Sequence, residues 1–507
     1  MNAAEVIEPQ VVHRIEAPLM ERADRSTHVA AIVDGDRTCS YGELATRARG
    51  LAVELLRRGL EPGDRVAIYL DKTTASVVAL YATWLAGGVA VPVNEGLRSR
   101  QVEHIVRHSG SRLVVSAARK LARLDPAALA EADVVDAEQP VDDHGWRPPI
   151  VRGGVEPAAI LYTSGSTGRP KGILISHANL LAGARIVTRY LGIRGDERII
   201  SILPFSFDYG LNQLLTSVGA GATLYLQRSH APVDILDSLE RYAITGMAGV
   251  PPLWMQLLGH TSPLLSRPWP HLRYVTNSGG ALPMELVARW RRAMPSTQIY
   301  LMYGLSEAFR STYLPPEEVE RRPGSIGRAI PETEIYVVDD CGRACQRGEV
   351  GELVHVGPTV ALGYWRDPEA TTAVFRAHPF APDGSSDRVV YSGDLVRADE
   401  DGYLYFAGRR DALLKCQGYR VSAEEVEELL HASGVIAEVA VRGVPDPVAG
   451  QVIVAHVVPR DASVFSEHEL LAFCRREMPS YMVPRAVHVH ASLPRTASGK
   501  LDRKSLA

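Results

Sequence analysis

Residues 161–172, LYTSGSTGRPKG, concentrate groups that can hold a phosphate. Thr163, Ser164, Ser166 and Thr167 carry hydroxyls, Gly165, Gly168 and Gly172 free the backbone, and Lys171 adds a positive charge. Backbone N–H groups and hydroxyls that converge on one point make an anion cradle. The order is not that of the P-loop, G-x-x-x-x-G-K-[ST], because Pro170 precedes Lys171 and Gly172 follows it. A flexible linker is the plain alternative. The strand-like AAILYTS that leads in, the helix that follows and Pro170-Lys171 argue against it.

Three further charges stand in short motifs. Glu307 lies in MYGLSEA, Asp394 ends YSGD, and Lys500 sits in PRTASGKLDRKSL near the end of the sequence. Taken singly, Glu307 reads as a solvated loop acid, Asp394 as a turn residue and Lys500 as part of a polar tail. A fourth charge, Asp208, follows Phe207 in LPFSFDYGLNQLL, residues 203–215. An acid in an apolar wall has an electrostatic reason to be there if a cation docks on it. Its position also suits a cap for the helix YGLNQLLTSV. Cys341 and Cys345 (CGRAC) have no second Cys/His pair near them, so a metal site is a weak reading.

These residues need elements to position them. From Tyr41, YGELATRARGLAVELLRRG places Leu44, Ala48, Leu51, Ala52 and Leu55 on one helical side. DRVAIYL and VAVPVN read as buried strands around the helix TTASVVALYATWLAGG, which glycines close. The strand–helix–strand rhythm runs through RLVVSA, and a second one spans about 198 to 310, which predicts βαβ layers. AAILYTS runs into the glycine-rich stretch, and SHANLLAGARIVTRYLG follows as a helix with Ser176 as N-cap. Short strands with Gly-rich turns from 325 to 408 predict a small β-barrel subdomain. After GRRDALLK the pattern is α+β.

The expected fold is therefore α/β. A large N-terminal domain of two βαβ-layered sheets plus a small β-barrel fills residues 1–410, and a smaller, mobile α+β domain fills 411–507. With 507 residues the chain exceeds a single core. A net charge of −4 argues against a non-specific nucleic-acid partner. MNAAEVIEPQ lacks a signal-peptide pattern, no long apolar run suggests a membrane span, and five scattered cysteines suit a reducing compartment. A cytoplasmic location is expected.

TSGSTGRPKG, SGGALP, MYGLSEA, YSGD, GRRDALLKCQGYRV and PRTASGK, in this order, resemble the motifs of the adenylate-forming superfamily across nearly the whole chain. That superfamily contains acyl-CoA synthetases, luciferases and the adenylation domains of nonribosomal peptide synthetases. The resemblance implies ATP and Mg²⁺. It assigns the phosphates to Thr163, Ser164, Gly165, Ser166, Thr167 and Lys171, and the adenine side to Gly279, Gly280, Ala281, Met302, Tyr303 and Gly304. Ser306 would meet the α-phosphate, Glu307 would help hold Mg²⁺, and Asp394 would bind the ribose with Arg409 nearby. Lys500 would be the catalytic lysine, bridging the carboxylate and the α-phosphate. Asp411 would be the pivot of the small domain. Its rotation would bring the 411–421 loop, with Lys415 and a small Gly418, to a phosphopantetheine thiol.

Fatty acyl-CoA synthetases of the superfamily usually carry a histidine motif where this chain has Phe207-Asp208. In amino-acid-adenylating relatives an aspartate after an aromatic pairs with the substrate ammonium. FSFDYGLNQLL with MYGLSEAFRSTYLPPEE is similar to stand-alone ligases that load β-amino acids onto carrier proteins in macrolactam pathways. It is also similar to acyl-CoA ligase-like proteins linked to exopolysaccharide and protein-sorting systems. In the β-amino acid group, residues matching Ser278 and Arg310 help hold the substrate; the alternative is that Arg310 is the structural partner of a nearby acid. Tyr209, Gly210, Asn212 and Phe309 would shape the pocket, Gly210 leaving room and Phe309 limiting it. The expected function is ATP-dependent activation of a (β-)amino acid as aminoacyl-AMP, then transfer to the phosphopantetheine of a separate carrier protein. An AMP-forming acyl-CoA ligase for a non-amino acid is the alternative. A silent nucleotide-binding relative is disfavoured, because Lys500, Glu307 and the Ser/Thr-rich stretch are all present.

Overall fold

The computed structural model describes residues 14–506 apart from 126–128, 130–131, 140–141, 145, 148–152, 164–169, 260–261, 266, 382–387, 411–412, 417–418, 447–449, 479, 481 and 496–500. The chain divides into two compact units. The first comprises residues 1–335 and 355–390, the second 336–354 and 391–507. The second thus takes in two stretches that precede position 411.

Local signals build the first unit much as read. Ser40 and Glu43 form a capping box ahead of the helix Tyr41–Arg57, whose Leu44, Ala48, Leu51, Ala52 and Leu55 are buried. The strand Arg65–Tyr69 pairs in parallel with Val89–Pro92 on one side and Leu113–Ser116 on the other. All but the edge residue Arg65 are buried in these three strands, as a sheet covered on both faces requires. Pro157–Thr163 extends this seven-stranded sheet. A second sheet runs, in spatial order, through Ser325–Ala329, Ala308–Leu314, Gln298–Leu305, Tyr274–Asn277, Gly246–Gly249, Arg198–Ser201 and Thr223–Leu226 to Ala30–Asp34 and Arg37–Ser40.

Two expectations change. The glycine-rich stretch does not lead from strand to helix. It joins Pro157–Thr163 to an antiparallel strand, Lys171–Ser176, with Thr163 opposite Lys171. Only then does the helix His177–Leu191 begin, with the Ser176 hydroxyl accepting from Asn179 N–H at 3.1 Å. The barrel expected over 325–408 is not self-contained either. Ser325–Ala329 joins the second sheet, and Gly363–Tyr364 pairs with Ile173 and Leu174 at the edge of the first. Short strands with glycine turns specify hairpin-length pieces, and pairing with distant edges decides which sheet takes them.

The second unit has its own core. Ile436–Asp446 and Gly450–Pro459 form a long antiparallel pair, with Val441 opposite Ala455, and Ala486–Val489 lies parallel to the latter. The helices Ala423–Ala432 and Glu467–Glu477 contribute Val426, Leu430, Leu470 and Cys474 to a cluster with Ile436, Ile453 and Val457. All five cysteines are free, and among the described residues Cys341 and Cys345 belong to no metal-capable group.

Candidate active site

Gln298–Leu305 and Ala308–Leu314 form an antiparallel hairpin in which Leu305 pairs with Ala308. Ser306 and Glu307 are therefore its two-residue tip, where side chains project beyond the sheet. Tyr364, on the short edge strand of the other sheet, donates its hydroxyl to Glu307 Oε1 at 2.5 Å. Lys171 Nζ lies 5.2 Å from the centre of the same Tyr364 ring and 3.9 Å from Asp367 Oδ2. Lys171, Tyr364 and Glu307 thus form one chain of contacts from the end of the glycine-rich stretch to the hairpin tip. Glu307 Oε2 has no hydrogen-bond partner among the described residues. A carboxylate oxygen held in this way is a suitable hard ligand for Mg²⁺.

Asp208 is the first residue of the helix Asp208–Ala220. Phe207 is the N-cap and supplies no capping bond, while Asp208 Oδ1 accepts from the Tyr209 N–H at 2.7 Å. Asp208 is therefore not the helix cap; it bonds the next residue's N–H. Burial raises the Asp208 carboxyl above its ordinary range; Arg310, the Tyr209 N–H and a hydrogen bond from Ser306 oppose that rise. No salt bridge to Asp208 is formed among the described residues. The carboxylate thus lies beside a cation without being paired to it.

Arg310 is 4% exposed and sits at φ 59°, in the left-handed region that costs a non-glycine residue. Its Nη1 donates to the Ser278 hydroxyl at 2.6 Å. Its guanidinium lies 4.5 Å from the Tyr209 ring centre and 4.9 Å from that of Phe309. Gly304 lets the strands close here: a Cβ on it would stand 2.8 Å from Arg310 Cα. The buried Arg310 Nε has no hydrogen-bond partner among the described residues. Ser278, Tyr209 and the neighbouring pair Phe309-Arg310 thus meet around one guanidinium.

Gly210 is corrected. A Cβ there would stand 2.2 Å from the Pro204 carbonyl oxygen, so this glycine admits a close backbone approach rather than widening a pocket. Tyr209, 4% exposed, points into the core and meets the Thr276 hydroxyl. Gly279 takes φ 80°, Asn277 Nδ2 bonds the Gly280 carbonyl at 3.0 Å, and Ala281 follows in an exposed loop. Met302 is buried, and Tyr303 lies opposite Thr312.

In the second unit Asp394 faces Arg409 across a strand pair, and Arg409 Nη1 is 3.0 Å from Asp394 Oδ1. Lys415 lies on Leu413–Cys416, opposite Arg420. Ser164, Gly165, Ser166, Thr167, Asp411, Gly418 and Lys500 lie outside the described residues. Two residues escaped the sequence reading. Tyr364 lies in GYWRDPEAT and Gly183 in the helix His177–Leu191, and nothing local marks either as part of a site.

The description "AMP-binding enzyme" matches residues 19–365, and "AMP-binding enzyme C-terminal domain" matches 425–500. The chain belongs to the AMP-binding enzyme family. Feruloyl-CoA synthase from Amycolatopsis sp is 32% identical over 494 residues, which is 95% of this chain and 96% of that protein. Tyrocidine synthase 3 from Brevibacillus parabrevis is 30% identical over 492 residues; the match spans 96% of this chain and 8% of that protein's length. O-succinylbenzoate coenzyme A synthetase from Bacillus subtilis, in complex with ATP and magnesium ion, shares 27% identity. It superposes with a TM-score of 0.85 over 96% of this chain and 98% of that one.

Proposed function

We propose that this chain activates an amino acid, a β-amino acid in the first instance, by AMP-forming ligation. A carboxylate oxygen attacks the α-phosphorus of ATP and pyrophosphate leaves. A phosphopantetheine thiol then attacks the acyl carbon and AMP leaves. The acceptor is taken to be a carrier protein, with coenzyme A as the other thiol of the same chemistry. Family membership and the similarity to a synthetase solved with ATP and magnesium support the nucleotide and metal.

Attack brings two anions together, so the site must supply positive charge where they meet. Lys171 would offset the departing phosphates, and the second oxygen of Glu307 would hold Mg²⁺, which adds further charge compensation. Thr163 and the 164–169 stretch would orient the phosphates. Lys500 would bridge the reacting oxygens, and Asp394 and Arg409 would hold the ribose.

One observation carries the amino acid reading: Asp208 is a carboxylate pushed up by burial and without a salt-bridge partner among the described residues. A substrate ammonium would supply that partner. ATP–pyrophosphate exchange, run with amino acids and their deaminated counterparts, tests it. Asp208→Ala should lower exchange for the amino acid on the order of 100-fold, since an unpaired buried ammonium is costly, and leave deaminated acids little changed. Undiminished exchange with amino acids would sink the reading. The likeness to feruloyl-CoA synthase over the full length of both chains favours a second reading, a coenzyme A ligase for a non-amino acid. Preference for the deaminated acids would select it.

A further inference from the structure

Asp208 helps line a partly open space of about 10 Å³, roughly the room of one water molecule. Asp208, Ser306, Asn212 and Phe309 line it together with apolar residues. The Asp208 carboxylate accepts from the Tyr209 N–H at 2.7 Å. Asn179 and Thr359, also in the wall, are fully engaged: Asn179 bonds the Pro358 and Val360 carbonyls, and Thr359 bonds His355. Asn212 differs. It is 6% exposed, and its side-chain amide has no hydrogen-bond partner among the described residues. The Asn212 amide atoms are not sealed off from that space, so a ligand that enters it can bond them.

The aromatic wall has two close neighbours, Gly183 and Arg310. A Cβ on Gly183 would stand 2.8 Å from Phe309 Cδ1, so glycine here lets the ring pack closely against the helix His177–Leu191. The Arg310 guanidinium covers the ring at 4.9 Å. Phe309 therefore cannot retreat to lengthen the pocket.

We propose that this site takes an amino acid with a short polar side chain, of hydroxyl size, read by Asn212. The Gly183–Phe309 contact sets the upper limit on its length. This rests on the ammonium reading of Asp208. Sites built to hydrogen-bond a substrate hydroxyl reject analogues that lack it far more strongly than apolar pockets reject an extra methylene.

The test is ATP–pyrophosphate exchange on the full chain with four sets of amino acids: short hydroxy, short aliphatic, long aliphatic and aromatic. The deaminated counterpart of each is included. The wild type should favour the short polar set over the short aliphatic set by about 10-fold or more. Asn212→Leu should erase or invert that ratio, and Phe309→Ala should raise the long aliphatic rate by about 10-fold. Ratios within one protein sample are unaffected by loss of folded fraction, and the wild-type ranking decides the matter if a variant does not fold. A wild type that prefers long apolar side chains, or an unchanged ratio in Asn212→Leu, overturns the proposal. Equal use of deaminated acids overturns the role of Asp208 instead, and the side-chain ranking is then read within that set.

Discussion

Glu307 would be an ordinary turn acid but for one neighbour. The Tyr364 hydroxyl fixes one carboxylate oxygen at 2.5 Å and leaves the other to project from the hairpin tip. Tyr364→Phe keeps the ring that Lys171 covers and removes only this bond. A single hydrogen bond to a charged group contributes about 1.5–3 kcal/mol. The variant should therefore need at least about 10-fold more Mg²⁺ for half-maximal exchange, with calorimetry showing the same loss in Mg·ATP binding. The KM for the acid should not move. An unchanged Mg²⁺ requirement would separate Tyr364 from the metal. Arg310 makes the complementary point: its left-handed backbone, hydroxyl partner and two aromatic neighbours hold a buried cation in one place.

At the scale of elements, the start of the Asp208 helix is braced from the other sheet. Lys72 follows the strand Arg65–Tyr69, is 3% exposed, and donates to the carbonyls of Ser201 at 2.9 Å and Leu203 at 3.0 Å. These carbonyls open the turn that presses on Gly210. Lys72→Met removes both bonds. It should raise the KM for the acid several-fold, on the order of 1–3 kcal/mol of lost positioning, while the KM for ATP stays put. A parallel rise in both constants would mean a merely structural role.

Lys72 also predicts a pH dependence. Burial pushes its ammonium down to about 7 from 10.5, with Glu95 opposing. Between these values the unfolded chain binds a proton that the folded chain does not, so stability rises with pH across that window. The melting temperature of the wild type relative to Lys72→Met should therefore climb as the pH is raised from 7 towards 10. A flat difference would show that Lys72 keeps its proton when buried.

At the scale of the whole molecule, the chain is two compact units with separate cores. Asp208, Ser278, Glu307 and Arg310 belong to the first, Asp394, Arg409 and Lys500 to the second. If the two half-reactions use different arrangements of these units, their residues should separate kinetically. Lys500→Ala should cut acyl-adenylate formation on the order of 100-fold or more, as loss of one transition-state charge does. It should leave thiolation of a supplied acyl-adenylate within a few-fold of wild type. Equal loss in both steps would overturn that division of labour.

The sequence by itself determined the pieces whose signals are local. Ser40 and Ser176 cap helices because their partners lie three residues on. The apolar runs became buried strands because period and composition suffice for that. The ordered motifs, with their hydroxyls, glycines and charges, marked out the family. The tertiary structure alone decided which distant side chains meet. Tyr364 and Glu307 are 57 residues apart, Lys72 and Ser201 129, and Arg310 and Ser278 32. Those meetings depend on which strand edges pair and on the direction in which a missing Cβ would point. Gly210 faces a carbonyl and Gly183 a phenyl ring for that reason, although as letters in the chain they are the same.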